Sequence, residues 1–142
     1  MVDENVFSEK LKQLSRRLAK IRAHGAVEPA DLSADSDALD LISFNLFLAV
    51  QTCLDLATHL IAAEGWAPAA TAREAFERLE EHGVISRETT RSLRQAVGLR
   101  NVVAHGYGHV DPAQIHAAAT RGLPDLERFA TELSAWVGRR LC

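Results

Sequence analysis

The sequence predicts an all-α fold: an up-and-down bundle of four to five helices, forming one domain over residues 1–142. Three observations carry this expectation. Apolar residues recur at spacings of three and four through most of the chain. Glycines and capping residues punctuate those stretches. No segment alternates apolar and polar residues as a half-buried strand would.

The first helix is marked by Phe7, Leu11, Leu14, Leu18 and Ile21, with lysines and arginines in the gaps. His24-Gly25 ends it, Gly25 being suited to the position after a helix C-terminus. Residues 26–35 read as a loop because they are small and acidic and include Pro29. Asp35 or Ser36 then caps a second helix. Its inward positions are Leu39, Ile42, Leu46, Ala49, Val50, Cys53, Leu56, Ala57, Leu60 and Ile61. Leu41, Phe44, Phe47, Leu48 and Leu54 make other sides apolar too, which suits a central helix or one in a subunit interface. Gly65 stops it. Thr71 with Glu74 forms a capping box for a third helix, whose apolar face is Phe76 and Leu79 and whose end is Gly83. Ser86 caps a fourth, with Leu93, Ala96, Val97 and Val103 inward and Gly106 and Gly108 at its exit. Asp111-Pro112 is an N-cap followed by proline at the first helical position. Ile115, Leu123, Leu126, Phe129, Leu133, Val137 and Leu141 continue the pattern, with a break or kink at Gly122 and Pro124.

Composition excludes several classes. A hydrophobic share of 47% argues against disorder. Two cysteines, Cys53 and Cys142, make no disulfide framework, and the N-terminus lacks an apolar leader. A cytoplasmic protein is therefore expected. The apolar stretch from Leu39 to Ala63 contains Asp40, Asn45, Gln51, Asp55 and His59, too many polar groups for a lipid-facing span, so no membrane is expected. The net charge of −3 excludes a broadly basic nucleic-acid surface. Any RNA contact would be local.

The residues that carry chemistry lie between Arg100 and Tyr107. On a continuous helix Arg100 and His105 point roughly 140° apart, while Asn101 and His105 share a face. Arginine and histidine converge if the helix frays at Gly106 or if a symmetric copy approaches. Together they suit cleavage of RNA by its own 2′-OH. Histidine moves protons near neutral pH. Arginine holds the charge that builds on the phosphate. Tyr107 can bond the phosphate or stack on a base. No metal and no cofactor is required.

The R-x4-H-x-Y pattern of Arg100, His105 and Tyr107, with Asn101 after the arginine, resembles the HEPN superfamily, and within it the HepT-like toxins. The likeness extends to residues 46–61, 73–86 and 93–111, in the expected order. The resemblance implies a homodimeric, metal-independent endoribonuclease with Arg100 and His105 as the catalytic pair. It implies a toxin of a type VII toxin–antitoxin system whose partner is an MntA-like nucleotidyltransferase. That antitoxin would silence the toxin by transferring AMP onto Tyr107, adding bulk and negative charge where an RNA phosphate should sit. Many relatives carry an acidic residue where this chain has Gly106, a departure that bears on the modification more than on cleavage. The other reading is a non-catalytic HEPN subunit that binds a nucleotide or a nucleotidyltransferase partner.

Three further patterns have ordinary explanations beside functional ones. His105 and His109 resemble a metal pair, but the intervening glycines spoil the helix that would aim both at one ion. Gln51, Asp55 and His59 recur every four residues, as a buried hydrogen-bond network or as the lining of an RNA cleft opposite Arg100. Arg87, Arg91 and Arg94 make a solvated basic face or a set of phosphate contacts.

Overall fold

The computed structural model describes residues 2–24, 28–106 and 110–141. Among them seven α-helices follow in chain order: α1 (Glu4–Ala23), α2 (Pro29–Ala34), α3 (Ser36–Glu64), α4 (Ala72–Glu81), α5 (Arg87–His105), α6 (Pro112–Thr120) and α7 (Leu123–Leu141). No described residue lies in a strand. The all-α expectation holds, and the count exceeds four or five for two reasons. Part of the expected loop over 26–35 is the short helix α2, which buries a single residue, Leu32, and so shows no periodic stripe. Its start is built from Pro29 at the first position and the Asp31 carboxylate, which accepts from the Glu28 N–H at 3.0 Å. The break expected at Gly122 is a full one. Arg121 and Gly122 donate back to the Ala117 carbonyl and close α6, while the Gly122 carbonyl accepts from Asp125 and Leu126 and opens α7.

The other ends obey local capping chemistry. Asp35 rather than Ser36 caps α3, accepting from the Ala38 N–H at 3.1 Å. At the far end Gly65 sits at φ 70°, a left-handed conformation that strains any residue with a Cβ. Thr71 accepts from the Glu74 N–H, and the Glu74 carboxylate reaches back to the Ala70 N–H, one residue beyond the cap. Ser86 caps α5 through the Thr89 N–H, and Asp111 caps α6 through the Ala113 N–H.

α3 is the axis of the bundle. It is long and apolar enough to cross a membrane, but half of its most apolar window is buried against other helices. Ala49, Cys53, Leu56, Ala57 and Leu60 are wholly buried there, and α1, α4, α5, α6 and α7 all pack on it. α1 runs antiparallel to it, since Lys10 meets Asp55 and Arg17 meets Asn45. Phe76 of α4 and Phe129 of α7, both wholly buried, meet edge to face at 5.7 Å. α7 is antiparallel to α5: Glu132 bonds Thr89, and Arg128 bonds Ser92. Leu141, expected on the inner stripe, is about half exposed because α7 ends there, past the core.

Candidate active site

The candidate residues Arg100, Asn101 and His105 lie in the C-terminal half of α5, and contacts along the helix hold it in place. At its start the Glu132 carboxylate of α7 accepts from the Ser86 N–H at 2.9 Å and the Thr89 hydroxyl at 2.7 Å. Midway, Arg94 pairs with Glu77 of α4 at 2.6 Å. Leu93 and Val97 anchor the inner face in the core. The helix then continues without a break through His105, so the fraying considered from the sequence does not occur before Gly106.

Arg100 is half-buried and turns toward α3. Its Nη1 donates to the Gln51 Oε1 at 3.3 Å, and its Nε and Nη2 both donate to the Asn101 Oδ1 at 3.3 and 3.0 Å. Behind Gln51 the chain of contacts continues. Gln51 Nε2 donates to Asp55 Oδ1 at 3.4 Å, and Lys10 Nζ of α1 meets Asp55 Oδ2 at 3.3 Å. Arg22, Arg78, Arg94, Arg128 and Arg140 each pair with a carboxylate, but none of the ion pairs among the described residues includes Arg100. Its guanidinium is held by neutral amide oxygens, so its charge is left for an incoming anion.

His105 is the last residue of α5 and is exposed, as is Asn101 one turn before it. No hydrogen bond among the described residues joins His105 to Arg100 or Asn101. The continuous helix leaves Arg100 and His105 roughly 140° apart, about 7.5 Å along the axis. One chain thus unites Arg100 with Asn101, which lies on the same face of α5 as His105 and one turn before it. Gly106 follows in helical backbone, and a Cβ there would stand 2.7 Å from the Val102 carbonyl oxygen. A residue with a Cβ could not occupy this turn without moving it. Tyr107 and His109 lie outside the described residues, so the modification and the metal-pair readings gain no geometry.

The polar stripe on α3 divides. Gln51 and Asp55 join Arg100, whereas the Nε2 of His59 is buried with no hydrogen-bond partner among the described residues. Gln51 and Asp55 also continue an outward stripe that begins with Leu41, Phe44 and Leu48 at spacings of three and four. Phe44 is 57% exposed and Leu41 36%. Arg100 therefore borders an apolar surface. Arg87 and Arg91 remain exposed, and Arg94 is used in its pair with Glu77. Cys53 is wholly buried, and desolvation pushes its thiol far above the ordinary range, so it carries no chemistry. Lys10 had no signal in the sequence, since 45 residues separate it from Asp55.

Fold and site together define a HEPN-type helical domain whose penultimate long helix carries an arginine and a histidine five residues apart. The sequence model of the family described as Ribonuclease HepT-like matches residues 4–133, and the chain belongs to that family. It is 22% identical over 125 residues to the mRNA nuclease HepT of Shewanella oneidensis, covering 88% of this chain and 91% of that one. It is 19% identical over 136 residues to the tRNA nuclease HepT of Aphanizomenon flos-aquae, covering 96% and 92%. Among solved structures, the tri-AMPylated Shewanella oneidensis HEPN toxin, in complex with an MNT antitoxin, superposes with a TM-score of 0.86. Its identity is 21%, over 94% of this chain and 99% of that one. The cytosolic protein of unknown function YutE from Bacillus subtilis also gives a TM-score of 0.86, at 13% identity over 99% and 94%. At such identities the structural likeness speaks for the fold.

Proposed function

We propose that this chain is the toxin of a type VII, HepT/MntA-like toxin–antitoxin system, an endoribonuclease that cuts RNA without a metal ion. The observation that carries the reading is the setting of Arg100. Its guanidinium is half-buried, fixed by Gln51 and Asn101, and paired with no carboxylate among the described residues. A cation kept in that condition suits a phosphate whose charge grows as the bond breaks. In the reaction the 2′-oxygen of RNA attacks the adjacent phosphorus, the 5′-oxygen leaves, and a 2′,3′-cyclic phosphate remains. The imidazole of His105 takes the proton of the attacking hydroxyl or returns one to the leaving oxygen. Asn101 holds the arginine fork, and Tyr107 contacts the RNA.

No hydrogen bond among the described residues joins Arg100 to His105 within one chain, and a homodimer could bring a second copy of each to the site. The stripe of exposed Leu41 and Phe44 and half-buried Leu48 runs on to Gln51, which bonds Arg100. Burying it against its own copy around a two-fold axis would set two sites side by side. The arginine of one chain and the histidine of the other could then act on one phosphodiester. Regulation follows the Shewanella toxin, whose HEPN chain is AMPylated and complexed with an MNT antitoxin. In this chain the acceptor would be Tyr107 and the donor an MntA-like nucleotidyltransferase.

The test is direct. The purified protein, incubated with RNA in EDTA, is expected to cleave it, leaving 2′,3′-cyclic phosphate ends. Arg100→Ala and His105→Ala, folded as judged by helical circular dichroism, should lose about 10²-fold or more. Cleavage that vanishes in EDTA would remove the metal-independent mechanism. Cleavage undiminished in both variants would remove the assignment of the pair.

A further inference from the structure

The groups behind Arg100 form a chain across three helices. Lys10 of α1 meets Asp55 of α3, Asp55 accepts from the amide of Gln51, and the carbonyl oxygen of Gln51 accepts from Arg100 of α5. The order of these contacts settles which way the Gln51 amide faces. Its NH2 group lies on a carboxylate and its oxygen on a guanidinium. The reversed amide would set oxygen against oxygen and nitrogen against nitrogen, two repulsions in place of two bonds. Asp55 in turn is fixed by Lys10, and both are more than half removed from solvent, with side chains 40% and 33% exposed.

The choice of residue type matters. A carboxylate at position 51 would hold the arginine more tightly, since charge-assisted bonds are the stronger kind. It would also neutralise it. The structure places the carboxylate, Asp55, one contact further back and interposes an amide. Asp55 orients the clamp through Gln51, but no carboxylate among the described residues touches the guanidinium.

From this we infer that Gln51 is a positioning residue for Arg100: an uncharged clamp, oriented by the Lys10–Asp55 pair, that fixes the guanidinium while leaving its charge free for the scissile phosphate. The inference rests on the ribonuclease reading above and adds to it a residue 49 positions away in the chain.

The experiment compares Gln51→Ala and Gln51→Glu in the full-length protein, with Arg100→Ala alongside. Three measurements are made: kcat and KM for RNA cleavage, thermal unfolding, and the side-chain Nε–H resonance of Arg100 in a 15N-labelled sample. Gln51→Ala frees the guanidinium, so kcat is expected to fall about 10- to 100-fold, the scale on which small misplacements of a catalytic group act. Gln51→Glu restores a hydrogen-bond acceptor of the same size but supplies a competing charge, so its loss should exceed that of Gln51→Ala and show in KM too. Gln51→Ala should unfold near the wild-type temperature, and Gln51→Glu somewhat lower, because its second oxygen faces the Asp55 carboxylate. The Arg100 resonance should become more mobile in Gln51→Ala and stay ordered in Gln51→Glu.

A merely structural role predicts the reverse order, with glutamate rescuing what alanine loses. That order, or wild-type kcat in both variants while Arg100→Ala is dead, would overturn the inference. If no form cleaves RNA, the ribonuclease reading fails. The resonance then still decides the clamp: unchanged mobility in Gln51→Ala overturns it, and increased mobility sustains it.

Discussion

Replacing Glu132 with alanine removes one of the two α7 side chains that tie α5 to α7, the other being Arg128, and its cost can be worked from the contacts. The carboxylate accepts from the Ser86 backbone N–H at 2.9 Å, the Thr89 hydroxyl at 2.7 Å and the Ser86 hydroxyl at 3.3 Å. The Ser86 groups face solvent, and water can replace the lost acceptor. Thr89 is different. It is wholly buried, its oxygen accepts from Arg128 Nε at 2.8 Å, and with the carboxylate gone its hydrogen can turn to the Ser86 Oγ at 3.0 Å, a neutral and weaker acceptor. Three bonds to the carboxylate are lost, each worth about 0.5–1.5 kcal/mol net of what water or a neighbouring hydroxyl restores. Glu132→Ala should therefore destabilise the fold by about 2–4 kcal/mol. At about 3 °C per kcal/mol for a chain of this length, the unfolding temperature falls by about 6–12 °C. Glu132→Gln keeps an acceptor oxygen and should lose less. The assay is urea denaturation followed by circular dichroism, with Thr89→Val completing a double-mutant cycle. Neighbours in one hydrogen-bond network should couple by about 0.5–3 kcal/mol. A loss below about 0.5 kcal/mol, the ordinary surface value, or strict additivity with Thr89→Val, would refute this account of how α5 is held.

Two further outcomes concern the proposed dimer and the buried thiol. Phe44→Asp, which puts a charge on the most exposed large apolar side chain of the α3 stripe, should convert a dimer to monomers by light scattering and reduce RNA cleavage at least about tenfold; an unchanged dimer would place the interface elsewhere. Cys53 should resist thiol reagents in a folded Cys142→Ser background and react at once on unfolding, and rapid native labelling would contradict its burial. The same residue sets a pH trend. Burial raises the folded thiol's pKa above its ordinary 9.0, so the folded chain keeps a proton that the unfolded chain loses. Stability is then unaffected below pH 9.0 and falls above it, by up to about 1.4 kcal/mol per pH unit, a slope that Cys53→Ala should abolish.

The sequence by itself determined the helical class, the ends of most helices and their inward residues. Those are local matters: Asp35, Thr71, Ser86 and Asp111 cap because of what lies two or three residues on, and Leu14, Leu56 or Phe129 turn inward by helical period. The motif residues were equally legible as a string, since Arg100, Asn101 and His105 fall within six positions. α2 was missed because one buried leucine makes no period, although Pro29 and Asp31 carried a capping signal. Tertiary structure alone decided what the motif is attached to. The sequence left Gln51, Asp55 and His59 as equivalent members of one stripe, and packing separated them. Gln51 reaches the arginine of another helix, Asp55 backs Gln51, and His59 keeps a buried Nε2 with no partner among the described residues. The partners of a half-buried charge depend on which helices lie side by side, and hydrophobic burial summed over the whole chain selects that arrangement. No spacing near residue 51 encodes a contact with residue 100.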